Sequence, residues 1–110
     1  MTHRFHAYDV ALLLVAALRP ALAQLVKGDR ALADQLRRAA SSVALNIAEG
    51  NRRIGQDRIQ FFRIAAGSAA EVQAALEVAV AWGHIEAAQV TEAELVRVLA
   101  MLWRLTHRRE

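Results

Sequence analysis

The sequence predicts an all-α fold, an antiparallel up-down-up-down four-helix bundle, from three observations. The 110 residues include 24 alanines and 14 leucines, against one proline and no cysteine. Alanine and leucine lose little entropy in a helix, and the β-branched residues that favour strands are the minority. Four of the five glycines separate stretches in which apolar residues recur three and four apart, the spacing of one helix face. With 55% hydrophobic residues the composition argues against a disordered chain. The length suits one domain over residues 1–110, with residues 1–8 as a flexible tail.

The first helix is expected from about Asp9 to Lys27, with Leu12, Leu13, Leu14, Val15, Leu18, Leu22 and Leu25 as its bulk. Pro20 lies inside it and removes one backbone donor. Because Leu18, Leu22 and Leu25 continue the spacing across the proline, a kink is expected there rather than a break. The second helix should start after Asp29 as N-cap and run to Glu49. Its core stripe is Leu32, Leu36, Ala40, Val43 and Ile47, and Gly50 would follow as a left-handed stop.

The third helix is expected over about Gln56–Trp82. Phe62, Ala65, Ala69, Val72, Leu76 and Ala79 step by 3, 4, 3, 4 and 3 along it, the seam of a bundle helix, and Gly83 would end it. From Ala74 to Trp82 only Glu77 is charged. A helix apolar on nearly all faces is usually buried on all of them, which points to self-association; the alternative is that small alanines are simply exposed. Gly67, inside this helix, costs about 1 kcal/mol relative to alanine. Close helix approach would compensate, so Gly67→Leu should damage assembly. The fourth helix has a capping box, Thr91 with Glu94, and a hydrophobic staple, Val90 with Leu95. Leu95, Val98, Leu99, Leu102 and Leu105 make its core face.

Charge is unevenly spread over a net +3. Residues 30–63 hold seven arginines against three carboxylates, residues 64–96 hold five carboxylates and no base, and residues 97–110 hold four arginines and Glu110. Such separation can steer an anionic partner, although a solvated surface with a high pI is the favoured reading. The longest run free of Asp, Glu, Lys and Arg is the ten residues Ala39–Ala48, far short of the ~20 of a membrane span. A secretory leader is mimicked by Arg4, the apolar run Val10–Leu18 and Ala21-Leu22-Ala23; Asp9 and Arg19 count against it. A cytoplasmic protein that does not engage a membrane is the expectation.

The polar residues of the second helix are its most informative feature. Gln35, Arg38, Ser42, Asn46 and Glu49 step by 3, 4, 4 and 3 and share an arc of about 80°. They form either a polar network satisfied between helices or subunits, or a binding face. Ser68 and Glu71 of the third helix are the partners offered, with Arg38–Glu71 as the expected pair. Arg52 and Arg53 in the turn, Arg58 and Arg63 after it, and Arg97, Arg104 and Arg108 on the fourth helix, with Arg109 beside them, are candidate phosphate contacts. No zinc finger or helix-turn-helix accompanies them.

Metal and cofactor chemistry is not expected. Cysteine is absent, His3 and His6 are two histidines of a tail, and His84 and His107 read as solvated. The chain has no phosphate-cradling glycine loop, no nucleophile elbow and no carboxylate–histidine ligand set, so no enzyme activity is expected.

The run Gln35-Leu36-Arg37-Arg38-Ala39-Ala40-Ser41-Ser42-Val43-Ala44-Leu45-Asn46-Ile47-Ala48-Glu49-Gly50 resembles the signature of the bacterial four helix bundle protein family, also called the 23S rRNA intervening-sequence protein family. Arg53, Phe61-Phe62-Arg63-Ile64-Ala65-Ala66-Gly67-Ser68, Glu71 and Trp82-Gly83-His84-Ile85 extend the likeness. The resemblance implies an antiparallel four-helix fold assembled as a homopentameric ring. It also implies kinship with the accessory protein of diversity-generating retroelements, a basic pentameric barrel that binds nucleic acid and a reverse transcriptase. RNA or DNA, or a protein partner docked on the ring, are the partners it suggests. It supplies no catalytic residue.

Overall fold

The computed structural model describes residues 6–90 and 92–107. Among these residues there are five α-helices and no strand: α1 (His6–Ala17), α2 (Arg19–Gly28), α3 (Arg30–Asn51), α4 (Gly55–Trp82) and α5 (Glu92–Thr106), with a single 3-10 turn, Ala87–Gln89, before α5. The helix begins at His6, so residues 6–8, expected in a flexible tail, belong to α1, and Ala7 is buried. Residues 1–5, with Arg4 and His3, lie outside the described residues.

The expected single N-terminal helix is two. Pro20 stands at the start of α2, and the axes of α1 and α2 meet at 42° across Leu18. A proline suits the first turn of a helix, where its missing N–H would have no partner, so the break falls where it costs least. Leu14, Leu18 and Leu25 are all fully buried. The apolar spacing therefore survives while the axis turns.

Asp29 caps α3 as its sequence implies: its Oδ1 accepts from the Leu32 amide at 2.9 Å. The stripe Leu32, Leu36, Ala40, Val43 and Ile47 is buried throughout. Gly50 is not the left-handed stop. It keeps helical geometry, and the helix runs on to Asn51; only Gly55 and Gly83 have positive φ among the described residues. A Cβ on Gly50 would lie 2.6 Å from the Phe62 ring. Glycine is needed there for the close approach of α4, not for a turn.

Helix α4 begins behind Ile54, which gives no side-chain cap. It ends at Gly83 with φ 81°, and the His84 amide donates to the Ala79 carbonyl at 3.0 Å, a Schellman-type closure. Phe62, Ala65, Ala69, Val72, Leu76 and Ala79 are buried as the seam predicts. Thr91 lies outside the described residues, and with it the expected Thr91–Glu94 capping box. Glu86 and Gln89 form a capping box on the 3-10 turn that precedes α5.

Helix α3 packs most extensively on α4; α5 packs against α4 and α1; α1 and α2 both return to α3. The core lies between them, with Phe62 and Leu36, Leu76 and Leu102 among its largest fully buried side chains. Helix α4 also contains a stretch long and apolar enough to cross a membrane, and the bent pair α1–α2 would be so as one span. This corrects the expectation drawn from charge-free runs, because Glu71 and Glu77 interrupt such runs without making the helix polar. The inner face of α4 is occupied by the core just described.

Candidate functional site

The polar face of α3 divides into three parts with different fates. In the middle, Ser42 Oγ lies 2.8 Å from Ser68 Oγ of α4. Asn46 Nδ2 donates to both the carbonyl oxygen and Oγ of Ser42, each at 2.9 Å. Ser68 is the one buried polar residue among those described, and this chain of bonds satisfies it between the two helices. Part of the expected network is therefore present.

Toward the N-terminus of α3 the expectation fails. Arg38 and Glu71 are both exposed and are not joined by a hydrogen bond or ion pair. Long side chains beside a solvated seam reach water at no cost, so proximity of the two helices does not compel them to pair. Gln35 is exposed as well. Arg38 instead borders a shallow depression of about 430 Å³ with Arg37, Ser41, Ser42, Leu45 and Asn46. Arg37 is tied to Asp34 at 2.9 Å.

At the C-terminal end Glu49 belongs to a ladder across the α3–α4 corner. Arg53 Nη2 is 2.8 Å from Glu49 Oε2, and Arg53 Nη1 donates to Asp57 Oδ2 at 2.9 Å. These bonds, that to Glu49 foremost, raise the pKa of the Arg53 guanidinium above its ordinary value. Its Cζ also stands 5.1 Å from the Phe61 ring centre. Arg58 is engaged too, 5.2 Å from the Phe62 ring centre, with Nη1 reaching the carbonyls of Asn51 and Arg53 at 3.4 and 3.3 Å. Two of the candidate phosphate contacts thus have structural work at this corner, while Arg52 is exposed. The spacing Glu49, Arg53, Asp57, four residues apart each time, is the signal that could have identified the ladder.

On α5, Arg97 and Arg104 are exposed. Arg108 and Arg109 lie outside the described residues. The aromatic Trp103, absent from the list of candidates, is 61% exposed and stacks on His107, with ring centres 4.4 Å apart and planes at 9°. His84 is not simply solvated. It is half-buried over Gly28, where a Cβ would meet its Nδ1 at 2.5 Å, and its Nε2 lies 3.9 Å from Asp29 Oδ2. Among the described residues no three His, Asp or Glu side chains gather as a metal site.

The outer face of α4 carries Ile64, Gly67, Ala70, Ala74, Val78 and Ala81, all exposed and three or four residues apart. The surplus of apolar residues on this helix is therefore uncovered within one chain. Gly67 is not at a close approach: a Cβ there would have nothing within 4 Å. Between α4 and α5 runs a groove of about 340 Å³ lined by Leu76, Val80, Leu95 and Leu99, with Glu77 and Glu92 among its polar residues.

No curated protein matches the chain in sequence. A crystal structure of a protein of unknown function from the S23 ribosomal protein family of Bacteroides thetaiotaomicron superposes with a TM-score of 0.81 at 19% identity, covering 92% of this chain and 98% of that one. The two share a fold. The family model described as 23S rRNA-intervening sequence protein matches residues 5–104. Nearly the whole helical core, from the start of α1 to the last turn of α5, falls within that match, and the chain belongs to the 23S rRNA-intervening sequence protein family.

Proposed function

We propose that this chain is a non-enzymatic, cytoplasmic homo-oligomer, a pentameric ring of four-helix bundles, and that its arginine surfaces bind RNA or DNA. In this reading α1 and α2 act as one bent helix. The packing of α3 on α4, α4 on α5, α5 on α1 and α1 on α3 then closes a four-membered bundle. The observation that carries the proposal is the outer face of α4, where Glu71 within the stripe and Glu77 at its margin are the charges from Ile64 to Ala81. Small side chains there let a second backbone come close, and the area covered would come chiefly from this stripe. The acidic stretch 64–96 and the basic stretches on either side favour contact between unlike surfaces, the head-to-tail arrangement that closes into rings.

The nucleic-acid part rests on Arg38, Arg52, Arg97 and Arg104, exposed side chains that no neighbouring carboxylate neutralises. Arg53 and Arg58, engaged at the α3–α4 corner, favour the alternative, a scaffold that docks a protein partner and binds no nucleic acid. A salt titration separates the two. Binding to RNA or DNA should weaken steeply with salt, and the slope should fall when Arg52 and Arg104 are replaced by alanine. No binding of either nucleic acid at low salt leaves the scaffold. Sedimentation at 12.1 kDa, the mass of one chain, would refute the ring.

A further inference from the structure

We propose that the outer face of the C-terminal half of α5 is a stacking platform for unpaired bases, so that the nucleic acid bound is single-stranded. Trp103 is the stacking surface and Arg97 and Arg104 the phosphate contacts. The inference rests on the nucleic-acid reading above and narrows it to one strand state and one site.

Trp103 is the observation that needs explaining. An indole is among the largest apolar groups a fold can bury, yet this one is 61% exposed on a helix whose inner face, Leu95, Val98 and Leu102, is packed to near-complete burial. It is also held in place. The His107 ring lies flat on it at 4.4 Å, and His107 Nδ1 is 2.9 Å from the Trp103 carbonyl oxygen, a bond that requires the proton on Nδ1. Thr106 Oγ1 donates to the Leu102 carbonyl at 2.8 Å and sits 3.1 Å from the same imidazole nitrogen. The ring pair is thus fixed before any ligand arrives, which lowers the ordering cost of binding.

Cations line one side of the rings. Arg104 follows Trp103 directly, and Arg97 lies two turns earlier, about 10 Å along the axis. At 100° per residue both fall on the shoulder of the face that carries Trp103 and His107. Neither arginine is joined to a carboxylate, in contrast to Arg37 and Arg53. A flat aromatic surface beside a row of free guanidinium groups is an arrangement that holds single strands, because every unpaired base offers a π-face and each linkage a phosphate. A duplex hides those faces inside its own stack, so it can use the arginines but not the indole.

The test uses the full chain carrying Trp82→Phe, which leaves Trp103 as its sole indole, titrated with short oligo(dT), oligo(rU) and a duplex of matched length at low salt. The two single strands should quench the Trp103 fluorescence saturably and the duplex should not. Trp103→Ala should weaken single-strand binding about ten-fold, with Trp103→Phe retaining most of it. Equal quenching by duplex and single strands, or unchanged single-strand affinity in Trp103→Ala, overturns the platform while leaving nucleic-acid binding in place. No binding of any of the three overturns the broader reading as well. A change in sedimentation caused by Trp103→Ala assigns the indole to a contact between copies and also overturns the platform.

Discussion

The two long faces of α4 are made from different material and meet different fates. The inner face steps through Phe62, Ala65, Ala69, Val72, Leu76 and Ala79, all buried against the other helices. The outer face steps through Ile64, Gly67, Ala70, Ala74, Val78 and Ala81, which are just as free of charge and all exposed. Apolarity alone does not distinguish them; size does. The inner face mixes large and small side chains, with Phe62 and Leu76 the largest, which fills a three-dimensional core. The outer face is mostly small, which leaves a shallow surface suited to a partner that approaches as a rigid rod.

Substitutions can break this contrast. The largest effect on folding should come from Phe62→Ala, which opens a cavity at the centre of the inner face and should cost about 3–5 kcal/mol in chemical denaturation. A loss below about 1 kcal/mol would mean that the inner face is not the core. Ala74→Arg on the outer face should leave the helical signal intact and abolish self-association, read as a fall in sedimenting mass to 12.1 kDa. An unchanged mass would move the interface elsewhere. Ser68→Ala should cost about 1–2 kcal/mol, since it removes the partner of Ser42 at a half-buried seam. Combined with Ser42→Ala it should cost less than the sum, because the two hydroxyls share one bond. The smallest effect sharpens the comparison most. Gly67→Ala should raise helix stability by up to about 1 kcal/mol in dilute protein, because an added methyl meets nothing within 4 Å. If the same change weakens assembly at high concentration, a second backbone comes close at that point.

What could be read from the sequence follows from what spacing encodes. The extents of α3 and α4 and their buried stripes follow from apolar residues three and four apart, because that pattern is the geometry of a helix face. The same pattern continues through Leu18, Leu22 and Leu25, yet the axis bends by 42° there; spacing records which side is buried, not whether the axis stays straight. Gly50 shows a related limit. A glycine after a helical stretch reads as a turn, but the demand on this one comes from the Phe62 ring of another helix. The bond between Ser42 and Ser68 was within reach because both residues were placed on facing sides. The Arg38–Glu71 pair was not, since flexible exposed side chains are free to choose water. The Arg53 ladder and the Trp103–His107 stack are both contacts between residues four apart, a spacing that the sequence itself displays.

The bend at Leu18 also divides the N-terminal arm in how firmly it is held. Helix α1 is gripped from two sides, by α3 and by α5, whereas α2 rests chiefly on α3. Pro20 leaves the Ala16 carbonyl without its usual helical donor. The amide of Leu18 meanwhile divides itself between the carbonyls of Leu14 and Val15 at 3.1 and 3.2 Å. The two halves are therefore separate units of local opening. In native-state hydrogen exchange the amides of α2 should surrender their protons well before those of α1, and the arm should unzip from its C-terminal half toward Leu18, which stays buried as the last point to let go.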